Sequence, residues 1–426
     1  MDVEQIFESS FNRLPSVNTW VLAYSGGLDS TVLFHLLHTR RKTVTLIPVH
    51  VHHALQVAAD DWVIHCQNVA HHWGYVCQIQ YVDARPQPGE SPEAAARAAR
   101  YQAFQSYLTA DSALLLAHHA DDQAETVLLQ MMRGAGLGGL SAMPLSIKRG
   151  DAYFCRPLLN INKADLFNYA MAHGLSWVED QTNTEFFADR NYIRHEIMPL
   201  LSARWPAARE CLGRVAAHAA EANALIEDCI AVNLKAAKTV GYGGQTVLNA
   251  LYLQQLSEPR AKQVIRLWLK EKNLRLPSTK KLQILMNTLI SSRYDAMPLI
   301  RWSGVEIRRF KHHVYAYAPK IAHDVAWSAS WMPDADLILP DDLGILKALD
   351  YQVLSKGEAL HIRFRQGGEV IRAVHHQGHT ALKDLMQAWG IPPWERTRIP
   401  LIFKNNVLVA VHGYTHETSV CDLNKE

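Results

Sequence analysis

The chain has 426 residues, 48% of them apolar, which is more than one hydrophobic core usually organises, so about two or three domains are expected. No apolar run is long enough to cross a bilayer, and the acidic start Met1-Asp2-Val3-Glu4 lacks a signal-peptide pattern, so a cytoplasmic protein without a membrane partner is expected. The net charge of +2 hides a split: residues 1–200 carry 14 Lys+Arg against 20 Asp+Glu, net −6, whereas 201–426 carry 29 against 21, net +8, which points to a polyanionic partner held by the second half.

In chain order, Thr19–Tyr24 reads as a buried strand and Ser30–His38 as the helix after it. Val44–Val51 is a second strand, and Asp60–Trp73 a helix stopped by Gly74. Tyr75–Val82 is a third strand. An Ala/Arg-rich helix runs from about Ser91 to Leu108, with Pro92 suited to its first turn. Ala113–Ala117 is a fourth strand, followed by an amphipathic helix Asp121–Met132 stopped by Gly134. Strands that recur after helices predict a mostly parallel, doubly wound sheet, with ligands beyond the carboxyl ends of its strands. From Ala216 to Trp302 the periodicity is helical, residues 318–350 mix Pro and Asp like a linker, and the last stretch places strands His361–Phe364, Leu401–Phe403 and Val407–Val411 around a helix Ala381–Trp389. The expected domains are 1–215 (α/β), 216–317 (all-helical) and 351–426 (a small α+β domain), with 318–350 between the last two.

The six cysteines, Cys66, Cys77, Cys155, Cys211, Cys229 and Cys421, contain no Cys-x-x-Cys pair and read as reduced thiols. Ser25-Gly26-Gly27-Leu28-Asp29-Ser30 sits between the first strand and its helix. Its glycines let backbone N–H groups converge on an anion, the helix N-terminus adds partial positive charge, and Ser25 and Ser30 supply hydroxyl donors. Asp29 could help hold Mg2+ against phosphate. The hexad lacks the Gly-Lys-Ser/Thr ending of a Walker loop, so γ-phosphate transfer is not its expected task. Asp122 and Glu125 lie three apart on a helix and share a face.

The hexad resembles the signature of the PP-loop pyrophosphatases, a Rossmann-like superfamily that cleaves ATP between its α- and β-phosphates and transfers AMP. Within it, Ala117-His118-His119-Ala120-Asp121-Asp122-Gln123-Ala124-Glu125-Thr126 is similar to the second signature of the tRNA(Ile)-lysidine synthetases. So are Arg133-Gly134-x-Gly136-Leu137-x-Gly139-Leu140, Ala96-Arg97-Ala98-Ala99-Arg100-Tyr101, Arg156-Pro157-Leu158-Leu159, Glu179-Asp180-x-Thr182-Asn183 and Asp189-Arg190-Asn191-x-Ile193-Arg194. The match is dense over residues 19–200, while Pro392-Pro393-Trp394-Glu395-Arg396 and Pro400-Leu401-Ile402 resemble the family's C-terminal domain more loosely.

The resemblance implies a ligase that adenylates the C2 oxygen of the wobble cytidine of tRNA(Ile) with anticodon CAU. The ε-amine of free lysine then displaces AMP, and the reading changes from AUG to AUA. ATP is the co-substrate, and tRNA rather than DNA the nucleic-acid partner. On this reading Ser25, Gly26, Gly27, Leu28, Asp29 and Ser30 bind pyrophosphate, with Gly134 in the glycine-rich segment that follows. Asp122 and Glu125 hold the lysine ammonium and help remove its proton. His119 contacts adenylate or cytosine, Arg97 and Arg100 reach ATP or tRNA phosphates, and Arg190 and Arg194 face the charge developing during adenyl transfer. His50, His52 and His53 suggest a metal cluster, but neighbouring strand residues face opposite ways, which favours a nucleotide-pocket rim with His53 at the family's histidine position. His53-Ala54-Leu55-Gln56 departs from the family's His-Gly-Leu-Arg form. Three competitors remain. A PP-loop sulfur transferase needs a persulfide cysteine or cluster-binding pair near these motifs, and the sequence has none. An amidotransferase-type synthetase predicts no basic RNA-binding half, and an RNA-binding module without activity would not need Asp29 or Asp122.

Overall fold

In the computed structural model, which describes residues 2–40, 45–52, 59–83, 85–86, 92–179, 189–294, 296–372 and 379–416, helix α1 (Val3–Phe11) precedes strand β1 (Thr19–Ala23). Then follow α2 (Leu28–Thr39), β2 (Thr45–His52), α3 (Ala59–His72), β3 (Gln78–Tyr81), α4 (Pro92–Gln105), β4 (Ser112–Leu115) and α5 (Ala120–Met132). The short α6 (Leu137–Leu140), a hairpin of β5 (Ser146–Arg149) and β6 (Ala152–Cys155), α7 (Lys163–Ala172) and α8 (Asp189–Tyr192) complete the first sheet and its helices. The strands lie in the order β3-β2-β1-β4-β6-β5, all parallel except β5, which pairs antiparallel to β6 at the edge. Side-chain alternation on β1 builds two cores. Trp20 and Leu22 pack with Leu33, Phe34 and Leu37 on one face, while Val21 joins Val49, Phe104, Leu114 and Phe154 on the other. Burial on both faces is what a parallel sheet covered by helices requires. The chain winds from β1 out to β3 and returns to β4 beside β1. The switch point of the topology therefore lies between β1 and β4, where such sheets hold ligands.

The chain divides into two units, 1–226 and 227–426. The second holds helices Ala250–Gln255, Glu258–Glu271 and Thr279–Leu285, whose Val264, Ile265, Trp268, Leu282 and Leu285 form its core together with Leu289 just beyond the last of them. To this helical layer the structure adds a five-stranded antiparallel sheet built from Lys238–Val240, Thr246–Asn249, Leu299–Trp302, Val305–Phe310 and His313–Tyr317. The strand Val305–Phe310 carries Glu306, Arg308 and Arg309, and these charges hide its apolar alternation from a reading of the sequence. Residues 318–350, read above as a linker, are structured. Ser328–Trp331 pairs with Leu360–Arg363 in a second five-stranded sheet that also contains Leu401–Lys404, Val407–Val411 and Thr415–His416. Leu337–Ile338 pairs with Ile345–Leu346 around Pro340-Asp341-Asp342, which places the turn-forming residues between two short strands. No helix among the described residues is long and apolar enough to cross a membrane.

Candidate active site

The hexad forms the turn from β1 into α2. Gly26 has φ +82°, and a Cβ there would sit 2.8 Å from the Cys66 sulfur and 3.2 Å from Val178 Cγ2. Left-handed backbone and close packing both require glycine. Gly27 is the N-cap of α2 and Ser30 is buried in its first turn. The Ser25 and Ser30 hydroxyls lie 3.0 Å apart, Ser30 donates to the Gly27 carbonyl (3.0 Å), and the Gly27 N–H donates to Ser25 Oγ (3.3 Å). The Val178 N–H donates to the Gly26 carbonyl at 3.0 Å, so the segment before residue 180 buttresses the turn. The result is a helix N-terminus rimmed by hydroxyls, a geometry that binds phosphate.

Across the switch point, β4 leads into Ala117-His118-His119 and the start of α5. The His119 N–H donates to Asp122 Oδ2 at 3.0 Å, which is one half of a capping box and fixes the Asp122 carboxylate at the helix entrance. His119 is 2% exposed; its Nε2 lies 3.6 Å from Asp29 Oδ2 and 3.5 Å from Asp122 Oδ2, and its Nδ1 lies 3.6 Å from Asp121. His119 thus joins the two motifs. Burial pulls its pKa down, but the Asp29, Asp122 and Asp121 carboxylates outweigh that and raise it above the ordinary histidine value. Burial pushes Asp122 upward, and His119, Arg190 and the amide bond from His119 more than reverse this, holding it below the usual range. For the neighbouring His118, burial dominates with the Arg156, Arg190 and Arg97 charges behind it, and its pKa falls to about 4 against the pull of Asp122.

Asp122 and Glu125 do share a face of α5, and Arg190 and Arg194 close over it. Arg190 Nε donates to Glu125 Oε2 (2.8 Å) and its Nη2 to Asp122 Oδ1 (3.0 Å). Arg194 Nε donates to Glu125 Oε1 (2.6 Å), and its Nη2 to Asp122 Oδ1 (3.0 Å) and Glu125 Oε2 (2.9 Å). Arg190 is on α8, and Arg194 follows in a π-helical turn, Ile193–Ile197, anchored when Ile193 and Met198 pack on Ala124 of α5. Burial lowers the Arg194 pKa, and Glu125, Asp122 and Asp29 more than restore it, so it stays charged. The four charges form a neutral, hydrogen-bonded quartet with Glu125 2% exposed.

Other candidates fall elsewhere. Gly134 is the stop of α5, with φ +64° and open space where a Cβ would stand, and α5 carries it about 20 Å from His119. Its left-handed backbone alone accounts for the glycine. Arg97, on α4, donates to the Tyr101 hydroxyl at 3.1 Å, and Arg100 follows one turn on. His50 is buried, with its Nδ1 3.1 Å from the Tyr24 carbonyl and 3.3 Å from the Cys66 sulfur, and His52 contacts Asp60 at 3.1 Å. These two histidines hold separate partners. His53, Ala54, Leu55, Gln56, Asp180, Thr182, Asn183 and Cys421 lie outside the described residues. Asp121, quoted only as part of its motif, proves to be a tether: Arg209 Nε reaches it at 2.6 Å and the Lys163 N–H at 2.9 Å. His118 and Arg156 received no role from the sequence, although both lie just past the carboxyl ends of strands, β4 and β6, at the ligand-binding edge of the sheet.

Residues 2–201 match the PP-loop domain family, 248–315 the TilS substrate binding domain and 360–425 the TilS substrate C-terminal domain. A tRNA(Ile)-lysidine synthase of Coxiella burnetii is 39% identical over 408 residues, covering 94% of this chain and 90% of its own. The chain belongs to the tRNA(Ile)-lysidine synthase family. Relatives of the same name from Methylococcus capsulatus (37% identity, 93% of this chain, 91% of theirs) and Serratia proteamaculans (38%, 97% and 95%) match it over nearly the same extent. Membership makes the chain a PP-loop ligase that uses ATP, with the expected parallel α/β domain, helical middle and β-rich C-terminal domain.

Proposed function

We propose that the chain adenylates the C2 oxygen of the wobble cytidine in tRNA(Ile) with a CAU anticodon and then joins that carbon to the ε-nitrogen of free lysine. In the first step the C2 oxygen bonds to the α-phosphorus of ATP and pyrophosphate leaves. In the second the amine attacks C2, the C–O bond breaks, AMP leaves, and the nitrogen gives up its proton. The observation that carries this reading is the Asp29–His119–Asp122 chain, with links of 3.6 and 3.5 Å, which connects the phosphate-binding turn to a carboxylate pair. Ser25, Gly26, Gly27, Leu28 and Ser30 hold pyrophosphate, and His119, its pKa raised by the surrounding carboxylates, faces the anionic charge beside them. Asp29 Oδ1 is buried without a partner, and one carboxylate facing phosphate suits Mg2+, which keeps most of its waters. The ion would offset phosphate charge there.

Lysine binding requires the quartet to open. An ammonium that takes a carboxylate oxygen from Arg190 or Arg194 frees a guanidinium donor for the adenyl phosphate, so the two substrates exchange partners inside the site. Residues beyond about 216 hold the body of the tRNA, in line with the +8 balance. Arg308 is paired with Glu306 (3.0 Å), Arg363 with Glu369 (2.8 Å), and Arg309 is 2% exposed, donating to the Leu289, Ile290 and Ser292 carbonyls at a helix end. The grip therefore falls to more open residues such as Lys311 and Lys383 rather than to Arg309.

The test is mass spectrometry of the isoleucine tRNA after incubation with ATP and isotope-labelled lysine. The expected result is one labelled lysine on the anticodon-loop fragment, with one AMP and one pyrophosphate released. A tRNA unchanged in mass, or one modified without the label, would overturn the reading.

A further inference from the structure

Arg156 follows β6 directly and lies at the carboxyl edge of the sheet, two strands from the phosphate-binding turn of β1 with β4 between them. It is 3% exposed. One donor, Nη1, goes to the Pro144 carbonyl at 2.9 Å, while Nε is buried with no partner. Among the described residues, the charged or ionisable groups that act on it are Tyr101, Arg149, Arg97, Cys155 and His118, and no carboxylate is among them. Arg97 and Arg149 both approach the Tyr101 ring, at 5.1 and 5.9 Å from its centroid, and Arg149 also lies 5.5 Å from the Phe154 ring. Among the described residues, three guanidiniums thus gather without a counter-charge, one of them buried, and a guanidinium cannot shed its proton to relieve this. The structural arginine Arg309 is buried too, but its donors go to the Leu289, Ile290 and Ser292 carbonyls and to the Lys311 carbonyl, whereas Arg156 has one such carbonyl and an unpartnered Nε.

We infer that Arg156, with Arg97 and Arg149 beside it, binds a phosphodiester of the RNA backbone next to the target nucleotide. The inference rests on the reading of tRNA as the substrate. Position favours RNA over ATP as the source of the phosphate. Two strand spacings, roughly 10 Å, separate β6 from β1, and the Asp122–Glu125 helix begins in the gap. A nucleotide whose pyrophosphate sits on the β1 turn and whose target base enters between β1 and β4 leaves the β6 side to the strand that carries the base. A base-modifying enzyme must take its base out of the stack, which requires the flanking backbone to be held. His118, which feels Arg156, Arg190, Arg97 and Asp122 together, lies where the two sites meet.

The experiment is filter binding of the purified isoleucine tRNA over a salt series, with ATP binding measured separately in the absence of RNA. Arg156→Met is expected to weaken tRNA binding about tenfold and to make the salt slope shallower by about one. Because a buried residue is altered there, a second variant, R97M/R149M, changes only exposed side chains and is expected to flatten the slope by up to about two. ATP affinity should stay within about twofold in both. A parallel loss of ATP affinity would assign the site to nucleotide phosphate, and unchanged slopes in both variants would make the cluster structural; either result overturns the inference. Transcripts with one neutral methylphosphonate linkage in the anticodon loop sharpen it: one linkage should weaken binding to the wild-type chain but not to Arg156→Met. Lysine incorporation by the wild-type chain is scored separately, so failure of the reaction reading is distinguishable from failure of the phosphate site.

Discussion

The β1 turn and the α5 quartet face each other across the switch point and solve opposite problems. The turn is almost uncharged, and its shape comes from backbone: a left-handed Gly26, a Gly27 cap and two serine hydroxyls 3.0 Å apart. It can receive phosphate without first breaking an ion pair. The quartet carries four charges whose donors and acceptors are used on one another at 2.6–3.0 Å. Any ligand there must compete with those bonds, and a partner for one charge releases another. One region is ready for its ligand, while the other exchanges partners when its ligand arrives. His119, within 3.6 Å of both, is where the two communicate.

The largest expected effect comes from removing the one charge on the turn. Asp29→Ala should reduce tRNA-dependent pyrophosphate release by about a thousandfold, the scale at which a lost electrostatic group in a closed site is felt. Asp29 Oδ1 has no partner to lose and Oδ2 only the 3.6 Å contact with His119, so the thermal midpoint should fall far less than the activity. Near-normal release by this variant would remove the turn from the chemistry. The quartet should fail at a different step. Asp122→Asn and Glu125→Gln keep their shape but cannot balance an ammonium, so adenylated tRNA should still form while lysine transfer drops about a hundredfold. Equal losses in both half-reactions, measured with and without lysine, would erase the contrast between the regions.

A smaller effect tests why the turn is backbone-built. Gly26→Ala places a Cβ 2.8 Å from the Cys66 sulfur in a backbone region that costs L-residues about 1–2 kcal/mol, and crowding adds roughly 1–3 kcal/mol. Denaturant unfolding should show that sum. Adding Cys66→Ala should recover the crowding part and leave the backbone part, and full recovery would show that the left-handed conformation is not required.

The turn was legible because everything it needs is contiguous: strand, two glycines, an aspartate between hydroxyls, helix. The pairing of Asp122 with Glu125 was legible for the same reason, since three residues on a helix define a face. The closure of that face was not. Arg190 and Arg194 reach across 65 to 72 positions, and no local pattern carries such a contact. Arg309 is the opposite case. It sits in a charged run with Arg308 and Lys311, yet it is buried among carbonyls, and the letter alone does not separate a capping arginine from an RNA-binding one. Strands of two to four residues between Pro and Asp in 318–350 were too short to show alternation.

The smallest effect concerns the two histidines at the junction, whose environments push them apart. His118 is held neutral, with its pKa at about 4, while His119 is raised by the surrounding carboxylates. Relative to an unfolded value near 6.5, His118 contributes stability that is fully present above about pH 6.5 and is lost as pH falls toward about 4, where the folded form also protonates. The loss should amount to about 2–3 kcal/mol after allowance for partial solvent access. His119 acts with the opposite sign: its contribution is complete below about pH 6.5 and fades as pH rises through its raised folded value. Stability against pH should therefore fall on both sides of a region near neutrality. His118→Asn should flatten the acid side alone, and His119→Asn the alkaline side alone. Urea unfolding at intervals from pH 4 to 9 reads both slopes. If His118→Asn changed the alkaline side, or neither variant changed its own, the junction would not hold one neutral and one charged imidazole, and the link from the turn to the quartet would have to run through Asp29 and Arg194 instead.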